Sequence, residues 1–304
     1  MTQNPPSGIL CIHKPQQFTS FDVVRKLRGI THTKKIGHAG TLDPMATGVL
    51  PVFFGNATKA CDILPNQDKC YRVSFRFGLT TDTQDIWGQE LSRSDAPVTK
   101  EQLLAVLPRF RGEILQLPPM YSAVSVNGQR LYELARKGIE VERQPRPITV
   151  HELTLLRYDE EARQGEALIR CSKGTYIRTI CHDLGQALQA GAVMTALCRT
   201  EAAGFSLSDC VTLEEAEQLM AENALWERLL PVERLFGELP ACRLNEIQTR
   251  MFLNGVRLDL NRLADKGLSG RCRVYGWDGA FLGLADCCPE TGELRLKKFF
   301  LERG

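Results

Sequence analysis

One short stretch, Gly-His-Ala-Gly-Thr-Leu-Asp-Pro-Met-Ala-Thr-Gly at residues 37–48, restricts the fold more than any other part of the chain. Glycine and proline both destabilise the interior of a helix or strand, so this composition predicts a shaped loop. A loop with so restricted a choice of residues usually presents something to a ligand. Its single acid is Asp43, and the nearest acids on either side are Asp22 and Asp62.

The local pattern around Asp43 leaves its role open. An aspartate before proline is a common turn former, and a histidine beside glycine is more often a polar loop residue than a catalyst. The whole string, however, resembles the signature loop of the TruB family of tRNA pseudouridine synthases. It matches Gly-His-x-Gly-x-Leu-Asp-Pro-x-Ala-Thr-Gly at every fixed position.

A second block, Lys-Gly-Thr-Tyr-Ile-Arg at residues 173–178, resembles the second catalytic motif of the same family. Ile177, Ile180 and Leu184 recur at helical spacing, which predicts a helix that begins near Thr175. Arg178 falls off this apolar stripe and could be an exposed cation. A carboxylate that must stay ionised in a partly dry pocket needs a fixed positive partner, and arginine supplies a bidentate one.

Strict alternation over Tyr71–Phe77 predicts a strand with its aromatic and apolar side chains on one face. This periodicity favours a core role for Tyr71, whereas the resemblance implies that the Tyr71 ring stacks on the target base. The turn after this strand carries several acids. Of these, we expect Asp85 to position substrate or an arginine.

Two further segments resemble family motifs. Residues 8–14 predict a strand that ends at Lys14-Pro15, followed by a helix capped by Thr19 or Ser20. Lys14 either supports the loop or contacts RNA, and the alternative is an exposed lysine. Residues 197–200, Leu-Cys-Arg-Thr, resemble a Leu-Arg-Arg-Thr segment in which Cys198 replaces one arginine. That departure weakens any claim for position 198.

Charge is unevenly distributed. Residues 1–60 carry a net charge of +5 and residues 201–240 a net charge of −7. This pattern fits a phosphate-rich partner that docks on one side, but solvated surfaces explain it equally well. Family members carry an RNA-gripping insertion that corresponds to residues 120–146 here. We assign three cations of that segment to phosphate contacts, namely Arg130, Arg136 and Lys137.

The fold class expected from these patterns and the resemblance is mixed α/β (α+β). A mainly antiparallel sheet of the pseudouridine synthase type is flanked by helices. Short alternating segments after residue 240 predict a small β barrel, which resembles a PUA-like RNA-binding module. We therefore expect a catalytic domain over residues 1–240 and an RNA-binding domain over 241–304.

The eleven cysteines form no Cys-x-x-Cys pair, their number is odd, and the first residues show no signal peptide. Free thiols are therefore favoured over a disulfide framework. The five histidines form no His-x-x-x-His pair, so the sequence predicts no metal site. We expect a cytoplasmic protein without membrane contact.

The resemblance implies a specific reaction, the isomerisation of a T-loop uridine of tRNA, at position 55, to pseudouridine. Asp43 would act on the sugar or the base, and Arg178 would keep it ionised and aligned. The implied binding residues are Tyr71, His38, Tyr176, Leu197, Lys14 and Lys173. The expected partner is the T-stem-loop of tRNA, with no cofactor and no obligatory protein partner, and we expect a monomer.

Three other classes compete with this interpretation. A catalytically silent RNA-binding protein could share the scaffold, although intact Asp43, Tyr71 and Arg178 argue against silence. A glycoside hydrolase would need a second acid close to Asp43, and none is adjacent in sequence. A guide-RNA-dependent relative would need partner proteins, and the sequence does not exclude one.

Overall fold

A computed structural model describes residues 6–301 of the 304-residue chain. The outer ends of both predicted domains, residues 1–5 and 302–304, lie outside the described part. Within it the chain forms strands β1 (Gly8–Lys14), β2 (Ile36–His38), β3 (Thr47–Phe54), β4 (Lys69–Phe77), β5 (Leu79–Thr81), β6 (Glu90–Arg93), β7 (Gly112–Gln116), β8 (Ser125–Val126), β9 (Gln129–Arg130), β10 (Arg146–Asp159), β11 (Gln164–Cys171), β12 (Ala192–Ala202), β13 (Phe205–Ser206), β14 (Cys210–Val211), β15 (Ala241–Arg243), β16 (Leu258–Asp259), β17 (Gly270–Tyr275), β18 (Phe281–Cys288) and β19 (Glu293–Phe299).

Four of the α-helices of the described residues begin where the sequence supplies a side-chain cap. Thr19, Thr99, Thr212 and Asn245 each form a capping box with the residue three positions later. The α-helices of the described residues are α1 (Ser20–Thr31), α2 (Lys100–Val106), α3 (Leu131–Ala135), α4 (Ile177–Ala187), α5 (Leu213–Ala221) and α6 (Glu246–Leu253). The α3 helix is short, and Arg130 directly before it belongs to the β8–β9 hairpin.

A ten-stranded sheet forms the larger part of the molecule. Its main path runs β14-β1-β3-β12-β4-β11-β10-β7, with β2 and β13 paired beside it. Only the β1–β14 and β3–β12 pairs among these described strands are parallel. The predicted mixed, mainly antiparallel sheet is thus confirmed, as are the strands expected at Gly8–Lys14 and Tyr71–Phe77.

Helices pack on the sheet and bury its apolar side chains in separate clusters. On β4, Val73, Phe75 and Phe77 are buried with α4 residues such as Ile180 and Leu184. A second cluster joins α1 and α5 to β1 and β3. Arg72 and Arg76 lie on the opposite, exposed face of β4, as the alternation predicts.

A separate five-stranded sheet, in the order β15-β17-β18-β19-β16, follows residue 240. It curls into a half-barrel, which confirms the small β module expected at this end. The half-barrel packs on the main sheet through a shared apolar cluster that includes Phe53, Phe236 and Phe300. The side-chain amide of Asn56 also donates to the Leu301 carbonyl oxygen at 3.0 Å. The assignment of residues 1–240 and 241–304 to two functions stays a prediction.

The stretch predicted as one loop is framed by strands at both ends. His38 pairs with Val52 at the end of β2, and Thr47 begins β3. The irregular part is therefore residues 39–46. Residues 37–38 and 47–48 join the sheet because their backbone groups find partners there.

Gly48 shows why the end of this loop needs glycine. Its φ is +101°, and it lies opposite Arg199 in the parallel β3–β12 pair. A Cβ at this position would lie 2.2 Å from the Arg199 carbonyl oxygen. Both the backbone conformation and the contact exclude a side chain.

We expect Gly48→Ala to lower the free energy of unfolding by about 3 kcal/mol, since overpacking and a left-handed backbone conformation each cost 1–3 kcal/mol. Urea denaturation of the two proteins measures the difference. Gly128→Ala is a matched control, because Gly128 also has positive φ, +81°, but a Cβ there meets no atom within 4 Å. Equal losses for the two variants would contradict the close-approach explanation.

Three further findings concern sequence-based expectations. All eleven cysteines are free, and seven of them are buried. No group of three or more His, Cys, Asp or Glu within residues 6–301 is arranged to hold a metal ion. No helix in that same range is long and apolar enough to cross a membrane.

Candidate active site

The loop of residues 39–46 holds Asp43 between buried anchors. Leu42, Met45 and Ala46 are all less than 4% exposed, and the Asp43 side chain between them is 44% exposed. The Leu42 N–H donates to the Ser20 hydroxyl of α1 at 2.9 Å, and the Ala46 N–H donates to the Asp43 carbonyl oxygen. The backbone around the acid is therefore fixed while its carboxylate remains accessible.

Arg178 links this loop to the first turn of α4. Its side chain is only 7% exposed, and its Nη2 lies 3.3 Å from Asp43 Oδ2. The same nitrogen donates to the Tyr121 carbonyl oxygen at 2.5 Å. The alternative of an exposed surface cation is therefore wrong. A buried guanidinium held by a backbone acceptor gives the Asp43 carboxylate a fixed positive neighbour.

Asp85 holds the other side of the same guanidinium. Asp85 Oδ2 lies 3.8 Å from Arg178 Nη1. Its Oδ1 accepts hydrogen bonds from the Thr83 hydroxyl at 2.9 Å and the Trp87 N–H at 3.0 Å. Burial raises the pKa of Asp85, although these donors and Arg178 oppose the shift. The expectation that Asp85 positions an arginine agrees with this geometry.

The Arg178 guanidinium thus lies between two carboxylates of different exposure. Asp85 is 7% exposed and faces Arg178, so it cannot flank a sugar together with Asp43 in the way that a glycosidase requires. Of the two carboxylates, that of Asp43 is the one exposed to solvent. The arrangement fits one reactive carboxylate supported by a buried ion pair.

Arg199 holds the backbone of the loop through hydrogen bonds, a role that the sequence did not reveal. Its side chain is fully buried, and it donates through Nε to the Val49 carbonyl oxygen and through Nη2 to the Gly40 carbonyl oxygen, both at 2.8 Å. β12 places Arg199 between Gly48 of β3 and Tyr71 of β4. The partly matched Leu-Cys-Arg-Thr segment was the available signal. Cys198, where the motif departs, points away from the Arg199 side of the strand.

Tyr71 lies beside this arginine at the start of β4. It is 6% exposed, and burial, opposed by the neighbouring Arg199 charge, raises the pKa of Tyr71 to about 12. The hydroxyl is therefore protonated at neutral pH and acts as a hydrogen-bonding group rather than a base. Leu197 is 9% exposed and belongs to the same apolar cluster. Both the core and the site interpretations of Tyr71 are compatible with this position.

Lys14 takes the first of the two roles predicted for it, support of the loop, rather than RNA contact. Its side chain is fully buried, and its ammonium donates to the carbonyl oxygens of Pro15 at 2.8 Å and Phe18 at 2.6 Å. Burial, opposed by the Asp43 charge, lowers the pKa of Lys14 to about 8. Neither an exposed lysine nor a direct RNA contact fits this enclosure, so the binding role is corrected to support of the turn beside the loop.

The remaining predicted residues differ in burial and in their contacts. His38 is partly buried, its Nδ1 has no hydrogen-bond partner among the described residues, and burial lowers the pKa of its ring. Tyr176 caps α4, with its backbone N–H and C=O both bonded to the Gln116 side chain. The Arg178 guanidinium lies 5.9 Å from the centre of its ring. Lys173 is exposed on the turn before α4.

The predicted insertion lies against this site. Tyr121 supplies the carbonyl that binds Arg178, and its hydroxyl donates to Asp82 Oδ2 at 3.2 Å. Arg130 donates to the Ala123 carbonyl oxygen, so one nitrogen of its guanidinium is already bonded within the insertion. The guanidinium of Arg136 lies over the Tyr132 ring at 5.4 Å. The proposed phosphate contacts of this segment remain predictions.

Asp183, on α4, makes the folding stability of the protein depend on pH. Burial raises the pKa of Asp183 from 3.8 to about 6, and no hydrogen bond or ion pair reaches its carboxylate from residues 6–301. The folded protein therefore binds this proton more tightly than the unfolded chain does. Stability from this group is present below pH 4 and is lost as the pH rises through about 6.

We expect Asp183→Asn to stabilise the protein at pH 7.5 by about 1–2 kcal/mol, after allowance for solvent screening of a partly exposed group. At pH 4 the variant and the parent protein should unfold at nearly the same urea concentration. Urea denaturation at the two pH values measures this difference. A stabilisation that is the same at both pH values would contradict the assignment to Asp183 ionisation.

Comparisons with known proteins agree with this architecture. The model of the TruB family pseudouridylate synthase N-terminal domain matches residues 28–177, and that of the tRNA pseudouridylate synthase B C-terminal domain matches residues 178–237. The tRNA pseudouridine synthase B of Clostridium tetani is 42% identical over 93% of this chain and 96% of its own. That of Stutzerimonas stutzeri is 44% identical over 92% of this chain and 91% of its own.

Solved structures give the same fold at lower identity. A chain of a Cbf5-Nop10-Gar1 complex superimposes with a TM-score of 0.74 and 24% identity, covering 97% of this chain and 85% of that one. A chain of an H/ACA RNP bound to a substrate RNA containing 2'-deoxyuridine gives a TM-score of 0.72 and 21% identity, covering 97% and 86%. At these identities the likeness establishes the fold alone.

Proposed function

The chain belongs to the TruB family of pseudouridylate synthases, and from this membership we propose that it converts a uridine of tRNA to pseudouridine at Asp43. The observation that carries the proposal is the ion pair between the exposed Asp43 carboxylate and the buried Arg178 guanidinium, 3.3 Å apart. It gives a single reactive carboxylate a fixed position. Relatives named tRNA pseudouridine synthase B, matched over more than nine-tenths of this chain, support tRNA as the substrate.

The target base must leave its stack before Asp43 can reach it. Extruding a nucleotide costs a few kcal/mol, which stacking and polar contacts in a pocket offset. We assign the stacking contact to Tyr71 and the adjoining pocket wall to Tyr176 and Leu197. His38, which carries an unpartnered ring nitrogen, supports the loop or occupies the space that the base leaves.

The bond exchange then takes place within one nucleotide. Asp43 either attacks the sugar or abstracts a ribose proton, the C1′–N1 bond breaks, and the detached uracil rotates. The new bond joins C1′ to C5 as Asp43 gives up its sugar bond or returns its ribose proton, the hydrogen of C5 leaves as a proton, and N1 takes up a proton. The exchange involves no net oxidation or reduction. The Tyr71 hydroxyl, with its pKa raised to about 12, stays protonated throughout.

We place the target in the T-loop, at position 55 of tRNA. The signature loop and the Lys173–Arg178 motif support this finer assignment. Residues 241–304 are proposed to bind RNA as a module of their own, since a separate sheet begins at β15. The proposal requires no protein partner and describes a monomer acting alone.

The test is nucleoside analysis of an unmodified tRNA transcript after incubation with the protein. We expect about one pseudouridine per tRNA, located in the T-loop, and none in a transcript whose position 55 is cytidine. Tight tRNA binding without pseudouridine would replace the proposal with a silent RNA-binding function. Pseudouridine elsewhere in the tRNA would overturn position 55 alone.

A further inference from the structure

A cavity of about 280 Å³ lies behind the loop that carries Asp43. Three segments that build the candidate site also build this cavity: the start of the loop, the start of β4, and the turn before α4. The lining residues used below are Gly40, Asp62, Gln67, Lys69 and Lys173. The cavity is therefore continuous with the machinery already described, but none of the proposed chemistry uses it.

Two lysines from different parts of the fold line this cavity. Lys69 lies two residues before Tyr71 on β4, so the two side chains share a face about 7 Å apart. Lys173 lies on the turn that leads to Tyr176 and Arg178. Each lysine therefore lies on, or directly before, an element that also carries a residue of the candidate site.

Gly40 brings a third cation close to these lysines. A Cβ on Gly40 would lie 3.3 Å from Lys69 Cε and 3.2 Å from Arg199 Nη1. The absence of a side chain lets the loop backbone pass between the two cations. Arg199 Nη1 is buried and has no hydrogen-bond acceptor among residues 6–301. The Arg199 guanidinium, which also interacts with the Tyr71 hydroxyl, thus lies beside Gly40, and Gly40 lines the cavity.

Within the described part of the chain, no carboxylate forms an ion pair within 4 Å with Lys69, Lys173 or Arg199. The Lys69 ammonium donates to the Gln67 carbonyl oxygen at 3.3 Å. Asp62, the one acid that lines the cavity, is exposed. Burial and the charges of Arg199 and Lys173 lower the pKa of Lys69, although Cys171 and Asp68 oppose the shift.

We propose that this cavity binds a backbone phosphate of the RNA next to the target nucleotide, through Lys69 and Lys173. The inference rests on the proposed function, since it places the target base between Tyr71 and Asp43. A phosphate there would supply the missing negative charge and accept hydrogen bonds from both ammonium groups. It would also fix the sugar of the target nucleotide relative to Asp43.

The first test is the salt dependence of equilibrium tRNA binding. Each phosphate contact contributes about 0.7–0.9 to the slope of log K against log salt concentration. We expect Lys69→Met and Lys173→Met to lower that slope by about this amount. The matched control is Lys100→Met, which removes an exposed lysine at the start of α2. A slope in both cavity variants equal to that of the control would overturn the proposal.

The second test removes the charge from the RNA instead of the protein. A T-stem-loop RNA receives a methylphosphonate at the linkage on one side of the target uridine, then on the other. At one of the two linkages we expect about a tenfold loss of affinity for the unmodified protein, the effect of losing a charge-assisted contact. For Lys69→Met the same RNA should lose less than about twofold. A tenfold loss of affinity in both proteins, or in neither, would contradict a contact between Lys69 and this phosphate.

Two outcomes separate this proposal from its alternatives. Inorganic phosphate that competes with RNA, while neither methylphosphonate matters, would assign the cavity to free phosphate and overturn the proposal. Both binding tests are independent of turnover. If no pseudouridine forms but the salt slope and the methylphosphonate effect follow the expectation, the proposed reaction fails and the phosphate site stands.

Discussion

Asp43→Asn is expected to slow pseudouridine formation by at least about 10⁴-fold while tRNA affinity changes by less than about threefold. The amide keeps the shape of the side chain and an oxygen near the Arg178 guanidinium. It cannot act as a carboxylate nucleophile or base, and loss of such a group commonly costs 10⁴–10⁶ in rate. Single-turnover kinetics at saturating tRNA measure the rate, and filter binding measures the affinity.

Two further variants serve as comparisons for Asp43→Asn. Asp95→Asn replaces an aspartate whose side chain is fully exposed and should react as fast as the unmodified protein. Asp43→Glu keeps the charge but displaces the carboxylate by one methylene, so an intermediate rate is expected. An Asp43→Asn protein that retained more than about a tenth of the rate would remove Asp43 from the chemistry.

Arg178→Met is expected to slow the reaction by about 10³-fold. The substitution removes the fixed positive charge beside Asp43 and leaves Asp85 buried without its charged partner. Breaking one side of a buried pair commonly costs about 3–5 kcal/mol. Arg178→Lys should recover part of the rate, because an ammonium retains the charge but cannot form the same fork.

The control for Arg178 is Arg170→Met, which breaks a half-exposed ion pair with Glu201 at 2.8 Å. Exposed pairs contribute about 0–1 kcal/mol, so the rate should change by less than about fivefold. Because Arg178 acts through Asp43, the double variant with Asp43→Asn should be no slower than Asp43→Asn alone. Additive losses in the double variant would show that Arg178 acts independently of Asp43.

The site depends on a loop whose backbone is held by hydrogen bonds on either side of the exposed Asp43 side chain. Arg199 holds the Gly40 and Val49 carbonyl oxygens, and Gly48 allows β12 to approach the end of the loop. Lys14 fixes the neighbouring turn from inside. These contacts place the Asp43 carboxylate before substrate binds, which is how positioned groups contribute to catalysis.

Elements with a strong local signal were predictable from the sequence. The Thr19 and Thr99 capping boxes identify the starts of α1 and α2, because the bonded residues are three positions apart. Strict alternation identifies β4 and the burial of its apolar face. The resemblance brought Asp43 and Arg178 together, although no local pattern could show that they form an ion pair.

Residues whose partners are distant in the chain were not predictable. Arg199 binds Gly40 across 159 positions, and Arg178 binds Tyr121 across 57. Such contacts arise only when β12 inserts between β3 and β4 and when the insertion folds against α4. The burial of Lys14 was not predictable either, although its acceptors, Pro15 and Phe18, are close in sequence, because periodicity cannot show which carbonyl oxygens will enclose an ammonium. Long-range pairing, rather than local propensity, therefore decides the interior of this site.

The most direct test of the central claim is release of tritium from a T-stem-loop RNA that carries 5-³H-uridine only at position 55. Formation of the C1′–C5 bond must expel that hydrogen, so the released label reports this reaction and no other step. We predict release by the unmodified protein and none by Asp43→Asn, with both proteins binding the RNA. RNA binding without release by the unmodified protein would contradict the account, and so would equal release by the two proteins.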